Sequence, residues 1–167
     1  MAGTAPDGRG ADVVTAPLDG LLVADFSRVL AGPLATMTLA DLGATVVKVE
    51  RPGTGDDTRQ WGPPWTAAAA SSYYECVNRS KYSVELDLAE AGDRAAAAEL
   101  AARADVIVEN FRPGVLAGYG LDYESVSAAN TGVVYCSITG FGSGAGAALP
   151  GYGLGSQADR RRRGPGP

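Results

Sequence analysis

Residues 21–51 read LLVADFSRVLAGPLATMTLADLGATVVKVER, and this stretch decides the fold. Leu21 to Phe26 is a short apolar run with β character, and Ser27 follows it at a turn that includes Gly32 and Pro33. From Leu34 to Leu42 the residues Leu34, Met37, Thr38 and Asp41 fall at helical spacing, and Gly43 supplies the stop. Ala44 to Val49 is β-branched and apolar again. Strand, helix and strand in so few residues call for a crossover connection between parallel neighbours.

The pattern repeats outward from there. Arg51 to Trp65 holds Pro52, Gly53 and Gly55 and then Gly62, Pro63 and Pro64, which predicts an ordered loop of a length that usually carries function. A short helix is expected over 71–78, a strand over 82–88 and an alanine-rich helix over 89–104. A buried strand over 105–109 follows, then a helical turn after Pro113, a helix over 123–129 and a last strand over 132–139. The expectation is an α/β fold, a parallel sheet with helices on both faces. Residues 1–17 read as a disordered leader, 18–157 as the folded domain and 158–167 as a basic low-complexity tail.

Composition narrows the chemistry. The 167 residues include 14 basic and 19 acidic side chains and no histidine, so the chain is acidic and any mechanism that needs an imidazole is excluded. Setting aside Asp159 and Arg160 to Arg163 leaves 10 basic and 18 acidic residues, so the tail opposes the body in charge. That tail lacks the aromatic or groove-reading partners of a nucleic-acid site, and no nucleic acid is expected as a partner. No apolar run approaches the roughly 18 residues that span a bilayer, and the start has no signal-peptide core. A cytoplasmic setting without a membrane partner follows as the expectation. Cys76 and Cys136 are expected to be reduced and buried. Twelve arginines against two lysines read as a compositional bias.

A dinucleotide site of the usual kind needs several glycines in the first turn, and Phe26 to Pro33 has one. The looser glycine pattern over 140–146 follows a strand but is interrupted at Pro150 and Gly151, so it reads as a loop. The end of the second strand says more. Glu50 alone suits a free ribose hydroxyl, and Arg51 offers a guanidinium fork for a ribose bearing a phosphate, as in coenzyme A or NADP. A plain pair of surface charges at a strand end is the competing reading. An NADP-dependent oxidoreductase domain remains an alternative function, disfavoured by the glycine-poor turn.

Four blocks in order, residues 24–59 (ADFSRVLAGPLATMTLADLGATVVKVERPGTGDDTR), 78–88 (NRSKYSVELDL), 104–123 (ADVIVENFRPGVLAGYGLDY) and 137–142 (SITGFG), resemble the amino-terminal part of class III CoA-transferases. That family includes formyl-CoA, carnitine and bile-acid CoA-transferases, with 2-methylacyl-CoA racemases as a branch. The resemblance implies a Rossmann-like parallel sheet, incomplete at its C-terminal end, in a domain that binds coenzyme A, with an acyl-CoA and a carboxylic acid acceptor as substrates and a homodimer of interlinked chains in full-length members. It places the nucleotide end of coenzyme A against Leu30 and Ala31 through their backbone, Arg51 through phosphate, and Leu86, Asp87, Leu88 and Ala89 at a strand end. Asn110 would supply amide hydrogen bonds and Phe111 would shield the ligand, with Arg112 beside them. Phe111 as core and Arg112 as a surface charge are the bland alternatives. Leu30 stands where some transferases carry a glutamine.

The resemblance also implies an aspartate that attacks the acyl-CoA thioester, a covalent mechanism. That residue is expected beyond the end of this chain, so the chain is expected to be truncated and inactive alone, with no catalytic residue assigned within it. Asp159 is not promoted to that role, and Tyr152 stands where the racemase branch carries a histidine. A third alternative is a non-catalytic fragment that self-associates through an exposed sheet.

Overall fold

The computed structural model describes residues 16–142, 144–147 and 149. Five parallel strands form one sheet in the order β3-β2-β1-β4-β5. They are β1 (Leu22–Asp25), β2 (Thr45–Glu50), β3 (Tyr82–Glu85), β4 (Val106–Glu109) and β5 (Val134–Ser137). The helices are α1 (Ala31–Asp41), α2 (Ser72–Asn78), α3 (Ala91–Arg103) and α4 (Tyr123–Ala129), with short 3₁₀ turns at Asp57–Gln60 and Leu116–Tyr119. The expected alternation of strands and helices is therefore present. Among the described residues no helix is long and apolar enough to cross a membrane.

Alternation along the strands sorts side chains to two faces. On one, Ala24, Phe26, Val49 and Ile107 pack with Ala97 and Ala101 of α3 and Val126 of α4. Alanines on α3 let the helix lie close, because Ala97 and Ala101 are almost fully buried. On the other face Val23, Val46 and Val108 meet Leu39 and Ala40 of α1. The sheet thus carries helices on both faces. β5 is open on the α1 side, where Val134 is 61% exposed and Cys136 is exposed. Tyr82, at the opposite edge, is 69% exposed.

Several boundaries move from the sequence reading. Helix α1 starts at Ala31, three residues early, and takes Gly32 and Pro33 into its first turn. Proline is tolerated there because that turn has no internal partner for its N–H groups. Gly32 is required by close approach: a Cβ on it would stand 2.1 Å from Ser27 Cβ. Gly43 ends the segment with φ +105°. Strand β3 stops at Glu85 rather than Leu88, and β5 is confined to 134–137.

The expectation of buried cysteines is overturned. Cys76 and Cys136 are unbridged and exposed, one on the outward side of α2 and the other on the open side of β5. The leader apart from Ala16 and Pro17, the basic tail, Asp159 and Tyr152 lie outside the described residues, as do Pro150 and Gly151.

Candidate functional site at the carboxyl rim

Every residue singled out from the resemblance follows the carboxyl end of a parallel strand. Leu30 and Ala31 come after β1, Arg51 after β2, Leu86 to Ala89 after β3, and Asn110 to Arg112 after β4. The chain order reverses between β1 and β4, which are adjacent in the sheet, and this is the switch point beside which open α/β sheets place their ligands. Leu30, Ala31, Arg51, Ala89 and Arg112 are exposed, and Leu86, Asp87, Leu88, Asn110 and Phe111 are half-buried.

The turn between β1 and α1 is held from two sides. Asn110 grips Arg28 twice: its Oδ1 accepts from the Arg28 N–H at 2.8 Å and its Nδ2 donates to the Arg28 carbonyl at 2.7 Å. Much of the Asn110 amide is thereby committed to the protein rather than to a ligand. Val29 sits at φ +69°, a conformation that a β-branched residue rarely adopts. Its N–H donates to the Asp56 carboxylate, at 3.1 Å to Oδ2. Leu30 and Ala31 follow directly and open α1, whose N-terminus has no side-chain cap. Its first-turn N–H groups face a place where an anion is favoured.

Beneath the turn lies a buried polar layer on the α1 side of the sheet. Lys48 Nζ pairs with Asp56 Oδ2 at 3.0 Å and donates to the Ser27 carbonyl at 2.8 Å. Lys81 Nζ pairs with Asp25 Oδ2 at 3.0 Å and also donates to Pro33 O and Asn78 Oδ1. Asp25 accepts from the Ser27 N–H and hydroxyl and from Thr36 Oγ1. The four charged side chains are at most 2% exposed. Among the described residues no buried side-chain nitrogen or oxygen lacks a partner, which is the condition for such a layer to be tolerated. For Asp56, burial opposes ionisation, but Lys48 and the Thr58 hydrogen bonds outweigh it and lower the pKa. Burial lowers that of Lys81 against the pull of Asp25.

Glu50 belongs to this layer and not to a ligand. It is 5% exposed and accepts from Arg59, Tyr74, Ser83 and the Asp56 N–H. Burial alone would raise its pKa, and these donors hold it down at about 2. The ribose-hydroxyl reading of Glu50 is therefore corrected: its carboxylate is occupied. Arg51, the next residue, points the other way. Its side chain is half-exposed and meets Asp57 at 3.1 Å, an exposed pairing of small energetic weight. Arg51, Thr54, Asp57, Gln60 and Trp61 line a cavity of about 380 Å³. Gln60 and Trp61 also border a larger groove of about 790 Å³ with Pro63, Pro64, Tyr73 and Cys76.

Of the other expected residues, Leu86, Leu88 and Phe111 rest against the α3 core, so Phe111 is partly core as the bland reading had it. Its outer ring face carries the Arg28 guanidinium at 4.7 Å. The backbone of Asp87 to Ala89 is tied by Asp93 and Arg94. The residues that sequence reading passed over are Arg28, Lys48, Asp56 and Lys81.

The arrangement, a parallel sheet with helices on both faces and a switch point between β1 and β4, defines an α/β domain of the doubly wound class. Its particular kind is set by comparison: CoA-transferase family III matches residues 18–160, and the chain belongs to that family. Over 126 residues it is 52% identical to succinyl-CoA:glutarate CoA-transferase of Homo sapiens, covering 75% of this chain and 28% of that protein. Succinate–glutarate CoA-transferase of Agrobacterium fabrum is 50% identical over 131 residues, covering 75% and 33%. The crystal structure of a CaiB/BaiF family protein from Brucella suis superposes with a TM-score of 0.82 at 48% identity, covering 87% of this chain and 39% of that one. The chain spans about a third of the length of the curated relatives it matches.

Proposed function

We propose that the carboxyl rim binds coenzyme A or its thioester and that this chain contributes the nucleotide-binding part of a class III CoA-transferase. The observation that carries the reading is Arg51: exposed, on the cavity wall, and directly after β2, whose last residue Glu50 is buried and anchored by Arg59, Tyr74 and Ser83. A guanidinium fork placed there is suited to the phosphate on the coenzyme's ribose. Uncapped N–H groups at the start of α1 add a second anion-favouring element through Leu30 and Ala31. Phe111 at the β4 end supplies a wall, with Arg112 and the Leu86 to Ala89 segment at its sides.

The reading assigns binding to these residues and assigns turnover to none of them. The names of the relatives, succinyl-CoA:glutarate and succinate–glutarate CoA-transferase, support an acyl-CoA and a carboxylic acid acceptor as substrates of the whole protein. A homodimeric assembly and a cytoplasmic setting belong to the same proposal.

Titration calorimetry with coenzyme A tests it, with NADP as the competitor. Coenzyme A should bind in preference to NADP and raise the melting temperature in proportion to its concentration over Kd. Arg51→Ala should weaken binding by about tenfold while leaving the unliganded melting temperature within about 1 °C, as expected for an exposed pair. Equal affinity for NADP, or binding indifferent to Arg51, would remove the reading.

A further inference from the structure

We infer that Asp56 is a positioning residue, a buried latch that holds Val29 in its left-handed conformation and thereby sets the start of α1 for ligand binding. This rests on the coenzyme A reading above and adds to it a residue that itself touches no ligand.

Val29 is where a latch is needed. Of the non-glycine residues with positive φ among the described residues, Val29, Ala69 and Ser80, it alone is β-branched, and that shape is the least suited to the left-handed region. Glycine would adopt it freely. A valine stays there only where its surroundings leave no alternative, and such positions cluster at functional sites. Here each residue of the turn is tied to a different neighbour. Lys48 of β2 donates to the Ser27 carbonyl, Asn110 after β4 holds the Arg28 N–H and carbonyl, and Asp56 accepts from the Val29 N–H. The direction in which Leu30 and Ala31 leave the turn therefore follows from φ at Val29.

Asp56 reaches Val29 from the loop that carries the Arg51 cavity. Its side chain is completely buried, so it acts through what it holds. Oδ2 takes the Val29 N–H at 3.1 Å and pairs with Lys48 at 3.0 Å. Oδ1 accepts from the N–H and hydroxyl of Thr58, which caps the 3₁₀ turn Asp57–Gln60. The Asp56 N–H donates to Glu50 Oε1 at 2.8 Å. Asp57 and Gln60 line the cavity with Arg51. One carboxylate thus joins the wall of that cavity to the start of α1. Without it the Val29 N–H has no acceptor, the valine returns to negative φ, and Leu30 and Ala31 turn away from the rim.

The test removes the latch in two backgrounds and reads coenzyme A affinity by calorimetry on the full chain, below the melting transition. Lys48→Met with Asp56→Leu deletes the acceptor without leaving a buried charge unpaired. With Val29 in place the turn should then be left-handed only about a tenth of the time, and affinity should fall about tenfold. In the Val29→Gly background the same two substitutions should cost no more than about twofold, because glycine populates that region about as readily as negative φ. Should the leucine variant not fold, Lys48→Met with Asp56→Ala serves in the same comparison. A loss of equal size in both backgrounds would mean that Asp56 acts elsewhere than at Val29, and no loss in either would leave the pair a support of folding alone. Both results overturn the latch while leaving the rim reading intact. Failure of the wild-type chain to bind coenzyme A removes the rim reading itself, and the latch with it.

Discussion

The two faces of the sheet are cut from the same five strands and held by different chemistry. Toward α3 and α4 the strands present Ala24, Phe26, Val49 and Ile107, and the packing is mainly apolar. Toward α1 and α2 the same strands present Asp25, Lys48 and Glu50 near their carboxyl ends, each buried and each paired. Apolar burial is cheap and tolerant of shape. Buried ion pairs are neither, because desolvation offsets much of their attraction. What the polar face gains is position: Lys48 and Asp56 fix the Ser27 carbonyl and the Val29 N–H, and so the turn that leads into the carboxyl rim.

The largest difference between the faces should come from breaking a pair. Lys48→Met leaves Asp56 charged and almost fully buried, and should lower stability by ~3–5 kcal/mol in urea unfolding. Adding Asp56→Leu should restore most of that stability while leaving coenzyme A binding weak, since Val29 has then lost its acceptor. Restored binding in the double variant would mean that the pair supports folding alone. Next comes the apolar face, where Ile107→Ala should cost ~2–4 kcal/mol through the cavity it leaves. Its affinity for coenzyme A, measured below the transition, should stay within about twofold of wild type.

Acid should separate the faces by a smaller margin. Glu50 titrates at about 2 in the fold against an ordinary 4.5. A depressed acid contributes fully above its unfolded value, so this stability is present above pH 4.5 and is lost as pH falls toward 2. Asp56 shifts in the same direction. Glu50→Gln should flatten that part of the stability profile between pH 5 and pH 2.5, and an unchanged slope would place the acid sensitivity elsewhere. The smallest effect is expected at the Glu99–Arg103 pair, whose side chains are 65% and 72% exposed. Arg103→Ala should change stability by no more than ~0.5 kcal/mol.

The apolar face could be read from sequence because period and residue type agree there: Leu22, Ala24 and Phe26 alternate, and α3 repeats alanine. The polar face could not, because its residues pair across distances that no spacing reveals. Lys48 lies 8 residues from Asp56 but Lys81 lies 56 from Asp25. One signal was present. A chain with twelve arginines and two lysines keeps lysine only where a compact cation is needed, and both lysines are the buried ones. The composition read as bias thus marked the supports of the site. The left-handed Val29 and the committed amide of Asn110 carry no such mark, since local sequence does not specify a partner that arrives from another strand.

The central claim is that the Arg51 guanidinium at the carboxyl rim receives the coenzyme's ribose phosphate. A crystal grown with coenzyme A tests it most directly. The account predicts the 3′-phosphate within hydrogen-bond distance of Arg51, with the adenosine lying along the rim beside Phe111. Density for the adenosine at another edge of the sheet, with Arg51 still on Asp57, would contradict it.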